Sequence, residues 1–190
     1  MSTYAPARIG ERWNPRRLAV ILDELQAIKH LVVVSGGWAW HFMSPPDHEE
    51  LKHAHDHKDA DVYVAPHNFG TLVMLLKQRG YRRAWTRFDR QQGDSPQFYR
   101  YARRVHADGE SVKVMLDVFV GDVPSVEAGG FQVVEPAYLL TLYSHTHASG
   151  HCFAVRAVRD LLSQGIDPVG RPEMADYRRF LTIRKGTIIA

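Results

Sequence analysis

The chain has 190 residues, 45% of them hydrophobic and 24% charged, a balance that suits one globular domain with a small helical appendage and excludes a largely disordered chain. No apolar stretch reaches the ~18 to 20 residues of a membrane span, and the opening MSTYAPARIGERW lacks the apolar run of a secretory signal, so the cytoplasm is the expected compartment. The net charge of +3 and pI of about 9.1 permit a polyanionic partner without requiring one, and a single cysteine, Cys152, allows no internal disulfide.

The predicted elements come in mixed order. Asn14 suits a helix cap with Pro15 in the first turn, and Leu18, Ile21, Leu22, Leu25 and Ile28 recur at the spacing of one buried helical face. LVVVS, residues 31–35, is a β-branched run too short for a helix and closed by Gly36 and Gly37, so it reads as a buried strand. WAWHFM then starts a short helix. The polar, proline-containing stretch SPPDHEELKHAHDH reads as a loop. DADVYVA alternates, with Ala60, Val62 and Val64 on one side and Asp59, Asp61 and Tyr63 on the other. A helix is expected from about Asn68 to Arg79, closed by Gly80.

Beyond it, YRRAWTRF and a glycine and proline loop at 93–96 lead to QFYRYARRVH and SVKVMLDVFV, joined through Asp108-Gly109, a strong hairpin signal. From Pro136 the pattern is helical through three segments. The fold class that results is α+β, a mixed β-sheet core over 12–134 with helices on one side, followed by a helical segment over 135–190 packed on that core.

The acids carry the chemistry. Alternation puts Asp59 and Asp61 on one strand face, where two ionised carboxylates repel unless a cation lies between them. Mg²⁺ prefers one or two carboxylates together with substrate phosphates. Asp117 interrupts an otherwise apolar strand, where an unpartnered carboxylate is costly. Three acids converging on one sheet face would form a two-metal clamp that holds a triphosphate and activates an attacking hydroxyl. Gly36 and Gly37 would let backbone N–H groups approach phosphate oxygens near the positive end of a short helix. Each feature alone has a plain reading too: a solvated strand end for the Asp-x-Asp pair, an ordinary tight turn for the glycines.

Strand, Gly-Gly, helix, Asp-x-Asp strand and later single-Asp strand together resemble the nucleotidyltransferase superfamily of the DNA polymerase beta type. More narrowly, GGWAWHF followed by HKDADVYV is similar to aminoglycoside adenylyltransferases and abortive-infection nucleotidyltransferases. The resemblance covers about residues 31–120. It implies that Gly36 and Gly37 contact the nucleotide phosphates, that Asp59 and Asp61 bind two Mg²⁺ ions, and that Asp117 completes the metal site and takes the proton from the acceptor hydroxyl. Trp38 stands where many members have a serine, which leaves Ser35 as the candidate hydroxyl. The stretch from Gly37 to Asp59 is longer than is usual there and implies an inserted loop. The donor would be ATP or another nucleoside triphosphate, and the acceptor a small molecule such as an aminoglycoside, or tRNA; a relative that only binds a nucleotide or a partner is the alternative.

Other residues are weaker candidates. Lys58, with His57, adjoins the Asp-x-Asp strand and could touch substrate phosphate. Arg159, with Arg156 and Asp160, falls where related enzymes carry a charged helix facing the nucleotide, or on the outer face of a packing helix. His53, His55 and His57, and His145, His147 and His151 with Cys152, lack a recognisable zinc spacing. The arginines from Arg79 to Arg104, interleaved with aromatics, fit either a nucleic-acid surface or an exposed ribbon whose arginine stems cover the rings. Oligomeric state is not legible.

Overall fold

The structure, a computed structural model, describes residues 15–43, 59–86, 97–107 and 109–139. Helix α1 (Pro15–Ile28) leads to strand β1 (Val32–Val34) and helix α2 (Gly36–Met43). Strand β2 (Ala60–Val64), a 3-10 turn (Pro66–Asn68) and helix α3 (Phe69–Gln78) follow. The chain then forms β3 (Arg82–Ala84), the long hairpin β4 (Gln97–Ala107) and β5 (Glu110–Val120), and a second hairpin β6 (Ser125–Ala128) and β7 (Phe131–Val134). A helical turn begins at 136–139, where the Glu135 carboxylate accepts from the Tyr138 N–H at 2.9 Å.

All seven strands form one mixed sheet in the order β3-β4-β5-β2-β1-β7-β6. β2 runs parallel to β5, and β1 parallel to β7; the other four pairings are antiparallel. The parallel pairing of β2 with β5 requires a crossover, which α3, β3 and β4 supply. This is the α+β architecture expected from the sequence. The β6–β7 hairpin was not among the expected strands; Gly129 and Gly130 turn it with φ of 58° and 78°, backbone that glycine adopts most readily.

Local sequence explains the elements. Leu18, Ile21, Leu25 and Ile28 are 0 to 5% exposed, so the stripe of α1 faces the core as its spacing requires; Leu22 is only partly buried, against that core. Leu72 and Leu76 do the same for α3, which ends where Gly80 takes φ of 83°. Both helices lie against the sheet face that carries Tyr99, Tyr101 and Arg103, as the Phe69–Tyr99 ring contact at 4.8 Å and the Arg103–Glu24 ion pair record.

Glu24 is the feature of this interface that the sequence reading passed over. It is 2% exposed, and it accepts from Arg79 at 3.0 and 3.1 Å, from the Tyr81 hydroxyl at 2.9 Å and from Arg103. One buried carboxylate thereby ties α1, the end of α3 and β4 together. Burial, then the neighbouring Glu24 charge, pushes the Tyr81 hydroxyl well above the ordinary range, so it stays a donor. The hydrogen bond that Arg79 donates to Glu24 likewise raises its guanidinium.

Candidate functional site

The opposite sheet face carries the acids. In the β2–β5 pair Asp61 is the register partner of Asp117, and in the β4–β5 hairpin Asp117 is the partner of Arg100. Directly paired residues point to the same face, so Asp61, Asp117 and Arg100 form a row across three adjacent strands. Asp59, two residues before Asp61, shares its side. A second row, Tyr63, Phe119 and Phe98, lies alongside with ring centroids 5.2 Å apart at each step.

Arg100 binds the acids together. Its Nε donates to Asp117 Oδ1 at 2.6 Å and its Nη2 to Asp117 Oδ2 at 2.5 Å, a two-point pairing, while Nη2 also reaches Asp59 Oδ2 at 3.3 Å. The Asp117 side chain is 8% exposed, against 31% for Arg100 and 28% for Asp59. The hydrogen bond to Asp117 holds the Arg100 guanidinium above its ordinary value against the opposing pull of burial, and the charges of Asp117, Asp59 and Asp61 add to it. Arg100 was grouped in the sequence only with the arginine-dense stretch, and its place opposite Asp117 was missed.

Gly36 has a task that the sequence reading did not give it. It opens α2 with φ of 61°, and a Cβ built on it would lie 2.0 Å from Asp61 Oδ2, 2.9 Å from Cγ and 3.1 Å from Cβ. No side chain fits there without moving Asp61. The two glycines are thus the first residues of α2 rather than a turn before it, and the Asp61 carboxylate sits against the helix start. Ser35, 5% exposed, joins the two elements: its N–H donates to the Asp61 carbonyl at 2.8 Å and its carbonyl accepts from the Ala39 N–H at 3.2 Å. Gly37 is half-buried as the second residue of α2.

The structure therefore brings Asp59, Asp61, Asp117, Ser35 and Gly36 to one end of β2. Lys58 and Arg159 lie outside the described residues, as do Asn14, the loop histidines, the histidines near Cys152, the 93–96 loop, and all but the first turn of the C-terminal helical segment. The described arginines divide by role. Arg79 and Arg103 serve Glu24, Arg100 serves the acids, and Arg83 lies over the rings of Trp85 and Tyr99 at 4.4 and 4.7 Å. Arg82 and Arg104 are exposed, and register puts both on the acid-bearing face, with exposed Lys113 directly opposite Arg104. A cavity of about 280 Å³ opens elsewhere, near the other end of β2, lined by residues that include Lys29, His30, Tyr63 and Asp122 and none of the three acids.

The donor set is that of a hard divalent cation, since carboxylate oxygens are what Mg²⁺ takes. Asp59 and Asp61 fit such a role in chemistry and placement. Asp117 fits in chemistry, but both of its oxygens are engaged by Arg100, and among the described residues no group of three or more acids, histidines or cysteines is gathered closely enough to hold an ion. Among those residues, too, no helix is long and apolar enough to cross a membrane.

No family model matches the sequence, and no curated protein matches it significantly. Solved structures do. The crystal structure of JHP933 from Helicobacter pylori aligns with a TM-score of 0.56 at 11% identity, over 81% of this chain and 70% of JHP933. The solution structure of the antibiotic-resistance factor ANT(2'')-Ia, an aminoglycoside nucleotidyltransferase, aligns with a TM-score of 0.51 at 14% identity, over 94% of this chain and 100% of the other. At such identities the likeness speaks for the fold, and the chain has a nucleotidyltransferase-like fold.

Proposed function

We propose that the protein transfers a nucleoside monophosphate from a Mg²⁺-bound nucleoside triphosphate, ATP as the first candidate, to an acceptor hydroxyl. The observation that carries the reading is the row of acids on one sheet face at the start of α2, on a fold of the nucleotidyltransferase type. Asp59 and Asp61 would hold the divalent cation, which when bound supplies charge neutralisation for the triphosphate. The first N–H groups of α2, at Gly36 and Gly37, are suited to phosphate oxygens. Asp117 would accept the proton of the acceptor hydroxyl as its oxygen bonds to the α-phosphorus; the bond from that phosphorus to the bridging oxygen breaks, and pyrophosphate leaves.

For the acceptor, Arg82, Arg104 and Lys113 on the acid-bearing face favour a polyanion such as tRNA over a polycationic aminoglycoside. The resemblance to ANT(2'')-Ia, known as an antibiotic-resistance factor, keeps the small-molecule acceptor in play. A second reading, a nucleotide-binding relative without chemistry, draws on the Arg100 guanidinium that engages the would-be base.

The test incubates the protein with α-labelled ATP, Mg²⁺, bulk tRNA and an aminoglycoside panel. Label is expected in one acceptor class, and in none with Asp61→Ala, whose circular dichroism should match the parent. Transfer by Asp61→Ala at the parent rate would overturn the site assignment. Mg²⁺-dependent ATP binding without transfer to any acceptor would favour the second reading.

A further inference from the structure

Three carboxylates on one sheet face repel one another unless a positive charge lies among them. The fold supplies one from its own chain. The register of β4 against β5, with Ala107 opposite Glu110, sets Arg100 opposite Asp117, and the guanidinium takes both Asp117 oxygens and reaches Asp59. In this two-point mode the guanidinium brings its positive charge against both Asp117 oxygens and leaves each with one lone pair. A divalent cation that binds an Asp117 oxygen beside Arg100 meets that like charge at close range, so each weakens the other's hold on the carboxylate.

We propose that Arg100 is an internal counter-ion, a placeholder that holds Asp117 until a divalent cation arrives, so that guanidinium and metal compete for that carboxylate. Arg100 is then a positioning residue that acts through Asp117. It keeps the acids gathered when no ion is bound and sets the cation concentration at which the site loads. The inference rests on the transferase reading for the identity of the metal site, but it concerns a binding competition that is measured without turnover.

Competition of this kind lowers apparent affinity by the fraction of molecules in the metal-competent state. An engagement of about nine molecules in ten would correspond to about tenfold tighter binding once Arg100 is removed. The experiment titrates the full-length protein with Mn²⁺ alone, following free Mn²⁺ by electron paramagnetic resonance, and records melting temperature with and without Mg²⁺. Arg100→Gln is expected to bind Mn²⁺ about tenfold more tightly, to melt earlier than the parent without metal, and to gain more from added Mg²⁺. In the Asp117→Asn background the tightening should vanish. Arg100→Lys, a point charge without the two-point fork, should fall between parent and Arg100→Gln, and serves as the test should Arg100→Gln fail to fold.

Unchanged or weaker Mn²⁺ binding in Arg100→Gln and Arg100→Lys would mean an ordinary structural ion pair and overturn the proposal. Tightening that survives Asp117→Asn would overturn it as well. Mn²⁺ binding by the parent with label transfer intact, but without the Arg100 effect, leaves the transferase reading standing. Absence of Mn²⁺ and Mg²⁺-ATP binding in the parent and both Arg100 variants removes the two together.

Discussion

Replacing Gly36 by alanine tests the claim that this position is held open for a carboxylate. Two costs add. The first is conformational: φ of 61° is left-handed backbone, costing an alanine about 1 to 2 kcal/mol, of which the lost freedom of the unfolded chain returns about 0.4 to 1 kcal/mol. The second is steric. The new Cβ would meet Asp61 at 2.0 Å from Oδ2, 2.9 Å from Cγ and 3.1 Å from Cβ, so turning the carboxylate tip alone gives no relief and the whole side chain must leave its rotamer, at about 0.5 to 1.5 kcal/mol. Gly80 is the control, because its φ is 83° and nothing lies within 4 Å of a Cβ built there; it carries the first cost without the second. Gly80→Ala should therefore destabilise by about 1 kcal/mol and Gly36→Ala by about 2 kcal/mol. Urea unfolding followed by tryptophan fluorescence resolves the difference as a shift of midpoint, with Trp38 and Trp40 fully buried as reporters. A midpoint for Gly36→Ala no lower than that of Gly80→Ala would refute the close approach of Asp61.

Two further expectations concern stability. Glu24→Gln leaves Arg79 and Arg103, 27% and 20% exposed, facing a neutral amide; the loss should be about 3 kcal/mol, the low end for a broken buried pair because water reaches both guanidinium groups, and a urea midpoint equal to the parent's would contradict it. Tyr63 supplies a pH dependence. Burial, then Tyr138 and Asp61, push its hydroxyl up to about 12 from 10.0, so the folded protein keeps the phenol neutral while the unfolded chain ionises it near pH 10. The contribution is full below pH 10 and is lost as pH rises from 10 towards 12. Tyr63→Phe should flatten the fall of melting temperature across that window, and an identical fall in both proteins would remove Tyr63 as its source.

The elements best read from sequence are those whose burial follows a local period. The α1 stripe and the alternation in β2 and β5 each report one face, and the core residues fall there. Glu24 shows the blind side of that method. It sits three residues after Ile21, on the same stripe, and a search for apolar residues passes over it, although a charged residue inside such a stripe is itself a signal that partners exist elsewhere in the chain. Those partners, Arg79, Tyr81 and Arg103, are distant in sequence, so no local rule names them. The second hairpin was passed over for a different reason. Its strands are four residues each, too short for alternation to stand out, and only the Gly129-Gly130 turn marks it.

The site divides along the same line. In the β4–β5 hairpin Ala107 pairs with Glu110; counting seven residues outward on both sides reaches Arg100 and Asp117. That contact was present in the sequence, because an antiparallel hairpin carries its register in its turn. The pairing of Asp61 with Asp117 was not, since β2 and β5 are parallel and the crossover between them places no arithmetic constraint on register. Alternation within each strand narrows the outcome to one face or the other, and a slip by one residue would send Asp117 to the side of Glu24 and Arg103. What excludes the slip is burial. Leu116 and Val118 are both 0% exposed on the helix-covered face, so moving either out and Asp117 in would bury a carboxylate in a layer already occupied by Glu24 and its cations. The apolar residues that flank Asp117 thus decide which side of the sheet it serves, and through register with β2 and β4 they decide that it meets Asp61 and Arg100.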